Sequence, residues 1–263
     1  MIKIACQTIV YGNSVIKDNI EGILRNIAEI GYDGVEIGAR HFYLDRPGYY
    51  AELLEKHRLE LPAIHVGGDF LNRESVAEQL EGIARTIQFA RGLGCGYIYL
   101  SGACRKGKTD ADYLHEARTY EEIGRRCAAE GLTLCYHNHD WEIANNLHGL
   151  ALLLNNVSGQ YMRLAPDVGW IAVAGADPLE FLKNHEARIE ALHFKDFRNR
   201  ATPRTFTELG TGIVDFKAVY DYFKAKRDVL WITAEQDEAT NTPQESAKAN
   251  YAYIRALADS VSG

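Results

Sequence analysis

Four short stretches of this chain each end an apolar run with side chains that can ligate a metal ion or move a proton. CYHNHD (135–140) carries His137 and His139, LAPD (164–167) carries Asp167, ALHFKD (191–196) carries His193, Lys195 and Asp196, and ITAEQD (232–237) carries Glu235 and Asp237. Taken together, His137, Asp167, His193 and Glu235 offer two imidazoles and two carboxylates. That donor set suits one borderline divalent ion (Mn, Zn, Co or Fe) and suits Mg less well. Four protein ligands leave coordination positions open for substrate oxygens. An ion held this way is a Lewis acid that binds a carbonyl and a neighbouring hydroxyl, acidifies the C–H between them and stabilises an enediolate. Glu235 is the expected base, and Lys195 is expected beside the developing oxyanion or a substrate phosphate. A single histidine at the end of a strand is usually just a satisfied polar group; four potential ligand sites at four successive strand ends carry the metal reading.

The elements that must position these residues follow from the hydrophobic pattern. Strand candidates are 2–9, 34–38, 62–67, 97–102, 132–138, 162–167, 190–196 and 229–235. Helix-like stretches lie between them. In 72–93, Val76, Leu80, Ile83 and Ile87 recur at spacings of three and four, which marks one buried helix face. Asp177 before Pro178 combines an N-cap residue with proline at the first helical position. Asp215 precedes a segment in which Phe216, Val219, Tyr220 and Phe223 share a face, and 243–260 reads as a final helix. Eight strands alternating with helices predict an α/β fold, a single (β/α)8 TIM barrel occupying residues 1–263 as one domain. An open doubly wound sheet would show a glycine-rich turn after the first strand, and the sequence there reads IVYGNSV.

In a barrel of this kind the active site lies at the C-terminal ends of the strands. Side chains alternate along a strand, so Leu132, Leu134 and Tyr136 should pack beneath helices while Cys135, His137 and His139 face inward. By the same parity Leu192 and Phe194 face out, and His193 and Lys195 face in. A wider ring of substrate-binding candidates comprises His65, Trp170, Tyr11, Glu36 and Arg198, with Glu36 either bonding substrate or tying down His65. Glycines in the loop LGTGIVDF (209–216) offer backbone N–H groups before a helix N-terminus, an arrangement able to bind phosphate. Arg105, Lys106, Lys108 and Arg204 also fall in loops on this face.

These stretches resemble the xylose isomerase-like superfamily of sugar isomerases and epimerases. The likeness covers most of the chain through GYDGVEIG (31–38), AIHVGG (63–68), LTLCYHNHDWE (132–142), LAPDVGW (164–170), ALHFKDF (191–197), ELGTGIVDF (208–216) and ITAEQD (232–237). It implies a metal held at the ends of strands five to eight, with Asp167, His193 and Glu235 matching the family's ligands and His139 matching a histidine near substrate. The chain departs from the pattern at His137, where many members carry glutamate. Two-base isomerases use the glutamates of strands five and eight on opposite faces of the substrate. An imidazole nitrogen bound to metal cannot also be a free base. The His-Asn-His form is similar to the inosose dehydratases of the same superfamily, and Glu142 is a candidate replacement carboxylate. The resemblance thus implies a metal-dependent isomerase or epimerase acting on a small sugar or sugar derivative. A dehydratase acting on a keto-sugar or keto-inositol is the alternative.

Composition narrows the rivals. Abasic-site endonucleases share this barrel, but they carry more histidines. Here strand four ends in Ser101, and Trp170 stands where a histidine would be expected after Asp167. The formal net charge of −7 also supplies no basic surface for nucleic acid. A non-enzymatic carbohydrate-binding barrel is a further alternative. Apolar residues make up 46% and charged residues 25%, as in ordinary globular chains. No apolar run approaches the roughly 20 residues a membrane span needs. Five scattered cysteines without a CxxC pair fit reduced thiols. A cytoplasmic enzyme with a small carbohydrate substrate is expected, and the resemblance allows a homo-oligomer.

Overall fold

The computed structural model describes residues 1–226 and 230–259. Seven strands, β1 (Ile2–Gln7), β2 (Gly34–Gly38), β3 (Ala63–Gly68), β4 (Tyr97–Gly102), β5 (Thr133–Tyr136), β6 (Arg163–Leu164) and β7 (Ala191–Phe194), precede a short antiparallel ribbon, β8 (Asp196–Phe197) and β9 (Phe206–Thr207). The last strand is β10 (Leu230–Ala234). Apart from the ribbon, every pairing is parallel, in the order β6-β5-β4-β3-β2-β1-β10-β7. Two isolated parallel bridges, Leu164 with Ile189 and Asp167 with His193, join β6 to β7. The eight-strand sheet therefore closes on itself as the expected TIM barrel.

Helices fill the connections: α1 (Asn13–Ile16), α2 (Ile20–Ile30), α3 (Pro47–His57), α4 (Val76–Gly92), α5 (Asp110–Ala129), α6 (Asp140–Asn156), α7 (Val168–Val173), α8 (Pro178–His185), α9 (Phe216–Lys224) and α10 (Pro243–Asp259). Each buries the stripe its spacing dictates. In α2 this is Ile20, Ile23, Leu24 and Ile27, and in α9 it is Phe216, Val219, Tyr220 and Phe223. Asp177 caps α8 by accepting from Leu179 N and Glu180 N, with Pro178 in the first turn.

The alternation along the strands builds two layers. Ile64, Leu100, Leu134, Tyr136, Leu192 and Phe194 belong to the large core between sheet and helices. Ala5, Ala63, Tyr99, Cys135, Ala165, Ala191 and Trp231 form a separate buried cluster inside the barrel. Small alanines beside Tyr99 and Trp231 let two large rings fill the axis. Two residues further along these same strands stand Gln7, His65, Ser101, His137, Asp167 and His193. The site is the next inward layer, floored by a packed apolar one.

Several strands are shorter than expected at that end. The predicted spans 132–138, 162–167 and 190–196 shrink to Thr133–Tyr136, Arg163–Leu164 and Ala191–Phe194. Pro166 has no N–H for a ladder. The Asn138 amide brackets Asp167 instead, donating to its carbonyl (3.3 Å) and accepting its N–H (3.1 Å). Beyond β7 the chain turns away to pair Asp196 with Thr207. The helix expected over 72–93 starts at Val76 because a turn accepting at Asn72 O occupies the preceding residues. Residues 229 and 260, the edges of two predicted elements, lie outside the described residues. All five cysteines are unbridged, and only Cys104 is exposed.

Candidate metal centre

Four strand ends contribute to one buried cluster. His137 (after β5), His193 (on β7) and Glu235 (after β10) bring nitrogen and carboxylate ligand atoms within 4.8 Å of one another. Asp167, at the N-cap of α7, joins them: its Oδ2 lies 3.8 Å from His137 Nε2. Glu235 Oε2 lies 3.9 Å from both His137 Nε2 and His193 Nε2. His137 Nε2, Asp167 Oδ2 and Glu235 Oε2 are buried and have no hydrogen-bond partner. Buried polar atoms are normally satisfied, so three orphans facing one point call for a shared partner. Atoms ligating one ion at about 2.1 Å stand roughly 3–4 Å apart, which is the spacing seen. The residues present therefore fit a divalent cation.

The rest of the cluster sets charge. Lys195 Nζ sits 2.9 Å from Glu235 Oε1, 3.0 Å from Asp237 Oδ1 and 3.5 Å from Asp167 Oδ2. Burial alone would lower its pKa, but the carboxylates of Asp237, Glu235 and Asp167 outweigh that and hold it as an ammonium. The Asp167 carboxyl is pushed up to about 7 by burial, against the pull of Lys195 and with the neighbouring Glu235 adding to the rise. Burial, followed by the charges of His193 and His65, keeps His137 well below the usual imidazole range, so its nitrogen is a free donor. His139 is held down in the same way, by burial and then by Lys195.

A cavity of about 490 Å³ opens onto the cluster, with His65, Ser101, His137, His139, Lys195 and Glu235 in its wall. His139 stacks on Trp141 with ring centres 4.3 Å apart. Five further expected residues lie outside the cavity wall, among them Glu36, which ties down His65. Tyr11 is packed in the core with its hydroxyl on Asn26, and Trp170 is buried behind Lys195, whose ammonium lies 5.0 Å from its ring centre. The aromatic ring in the cavity wall is Phe206. Arg198 is exposed and absent from the wall; Arg40 is the arginine there, hydrogen-bonded to Asn13. Glu142 does not reach the cluster. It is fully buried, accepts from His139 N (2.8 Å) and Tyr136 OH (2.9 Å), and so caps α6. Burial raises its pKa to about 7.

The glycine loop is also committed elsewhere. Asp196 accepts from the backbone N–H of Gly210, Gly212, Ile213 and Val214, so an internal carboxylate fills the cradle expected for phosphate. Arg204 pairs with Asp140, and Lys108 with Glu116, while Arg105 lies 3.7 Å from Asp69. Sequence reasoning passed over Arg40, Gln7 and Phe206 as cavity residues. Arg40 and Gln7 each sit just past or at the end of a strand, the position that drew attention to the histidines. Phe206 lies in a connection that bears no such mark.

A (β/α)8 barrel with a buried imidazole–carboxylate cluster at the C-terminal mouth of its strands is the class these features define. The chain belongs to the xylose isomerase-like TIM barrel family, whose model matches residues 24–257. An inosose dehydratase of Geobacillus kaustophilus is 25% identical over 270 residues, covering 89% of this chain and 86% of its own. A sugar phosphate isomerase/epimerase from Parabacteroides distasonis superposes with a TM-score of 0.78 at 19% identity, covering 97% of this chain and 93% of its own. The IOLI protein, crystallised with a zinc atom, superposes with a TM-score of 0.78 at 16% identity over 98% of both chains. No helix among the described residues is long and apolar enough to cross a membrane.

Proposed function

We propose that this protein holds one divalent cation through His137, Asp167, His193 and Glu235 and dehydrates a keto-sugar or keto-inositol. The single observation that carries the choice of reaction is His137. An imidazole stands where two-base isomerisation needs its second carboxylate, which leaves Glu235 as the one carboxylate shared by the cluster and the cavity wall. The similarity to an inosose dehydratase over 89% of the chain supports the same reading.

When bound, the cation supplies Lewis acidity that makes the carbon beside the substrate ketone acidic. Glu235 takes the proton from that carbon. As a carboxylic acid it then gives the proton to the β-hydroxyl on the same face, which leaves as water as the C–C double bond forms. The proton count closes on one residue, so no second base is required. Lys195 keeps its proton throughout; its ammonium orients Glu235 and holds a substrate oxygen. His139 presents a ring nitrogen to sugar hydroxyls, His65 lines the cavity with its own nitrogens held by Glu36 and Ser101, and the apolar floor beneath them keeps water from the barrel axis.

The experiment is incubation with an inosose, and with a panel of ketoses, in the presence of Mn²⁺, Co²⁺, Zn²⁺ or Mg²⁺, followed by mass spectrometry. A product lighter by one water is expected. A rearranged product of unchanged mass would establish the isomerase or epimerase reading instead, and metal binding without turnover would establish a binding protein.

A further inference from the structure

Glu36 is a fully buried carboxylate beside the site that belongs neither to the cavity wall nor to the orphaned set. It projects from β2, and its two oxygens are divided between two imidazoles. Oε2 lies 2.6 Å from His193 Nε2 and Oε1 lies 3.0 Å from His65 Nδ1. The far nitrogen of His65 reaches Ser101 Oγ at 2.8 Å, and that hydroxyl lies 3.4 Å from the carbonyl of His137. A line of polar contacts thus crosses the barrel interior from β7 through β2 and β3 to the ends of β4 and β5.

We infer that Glu36 is a positioning residue that pins His193 by its Nε2–H and so leaves Nδ1 as the only nitrogen of that ring free to bind the cation. The consequence follows from the ring itself. Imidazole has two nitrogens, and the one that donates to Glu36 has no lone pair to give. The remaining nitrogen, Nδ1, lies 3.2 Å from Nδ1 of His137, another proposed ligand, whereas Nε2, the nitrogen held by Glu36, is the one 3.9 Å from Glu235 Oε2. Metal-bound histidines commonly give their second N–H to a carboxylate, which fixes the ring plane and increases its basicity. Glu36 differs from such partners in serving two rings at once. The orientation of His65, a cavity residue, is therefore coupled to that of His193. A glutamate on β2 would set both the metal's histidine and one wall of the substrate cavity. This inference rests on the proposed metal site.

Two measurements test it. Co²⁺ titration, read by calorimetry and by the visible absorption of the bound ion, compares wild type with Glu36→Gln. The glutamine keeps the volume but loses the charge. The expected result is affinity weakened by about 10- to 100-fold with the melting temperature of the metal-free protein little changed. Unchanged affinity would overturn the inference. In ¹⁵N-labelled wild-type protein, with and without Zn²⁺, NMR should find a downfield, slowly exchanging proton on His193 Nε2, while Zn²⁺ shifts only Nδ1. Absence of that proton, or Zn²⁺ on Nε2, would overturn it too. Wild type that binds no Co²⁺ would sink the metal reading of the site, whereas the metal-free Nε2 resonance would still decide whether Glu36 pins the ring.

Discussion

Lys195 shows how much a single side chain can settle. Its ammonium contacts three carboxylates at once, and two of these, Asp167 and Glu235, belong to the orphaned set. Replacing Glu235 by Gln removes the proposed proton carrier while keeping the side chain's volume. Turnover is expected to fall by about 10²–10⁴-fold; near-normal turnover would remove Glu235 from the reaction. Glu142 makes a different prediction. Its folded pKa of about 7 lies above the ordinary value of 4.5, so the protonated form is favoured by folding. The stability it contributes is complete below about pH 4.5 and is lost as pH rises through 7. Urea denaturation between pH 5 and 8 should show wild type losing on the order of 2 kcal/mol that Glu142→Gln does not lose. Side-chain directions were legible where alternation alone decides them, as for His137, His193 and Lys195. They were not legible where a side chain's partner lies across the barrel. Glu142 looked like a spare carboxylate because nothing in the sequence reveals that Tyr136 and the His139 amide claim both its oxygens.

At the scale of elements, the helix faces and caps follow directly from spacing, and α9 buries the four residues its periodicity picks out. Strand ends were harder to read. Polar residues that leave the ladder to form a site look, in sequence, like strand residues that continue it. The loop between β9 and α9 teaches a second lesson. A glycine-rich turn before a helix suggests an anion site, but here the anion is Asp196 of the same chain. A Cβ at Gly212 would overlap the Phe197 carbonyl and the Asp196 carboxylate. Gly212→Ala should therefore cost about 2–3 kcal/mol of stability, measured by chemical denaturation. A neutral result would mean the loop is free to move off Asp196. In α6, Asn145, Asn146 and Leu147 have positive φ and break the helix one turn after His139. No periodicity argument could have anticipated this, because left-handed backbone leaves no mark on the hydrophobic pattern.

For the whole molecule, counting strands was enough to predict the barrel, and the two interior layers follow from parity once the barrel is drawn. The closure between β6 and β7 could not be foreseen, since it consists of two isolated bridges where the other pairs of strands have ladders. One of those bridges joins Asp167 to His193, two of the four proposed ligands. A cation seated there would rivet the barrel at its thinnest join. Chelation with EDTA should lower the unfolding free energy by about 2.7 kcal/mol relative to metal at a hundred times its dissociation constant. Hydrogen–deuterium exchange offers a sharper reading, because amides of 163–167 and 189–194 should open first on metal loss while β3 and β4 stay protected. In that event the seam would serve as a gauge of occupancy, with the enzyme's resilience to heat or proteolysis reporting whether its catalytic ion is in place.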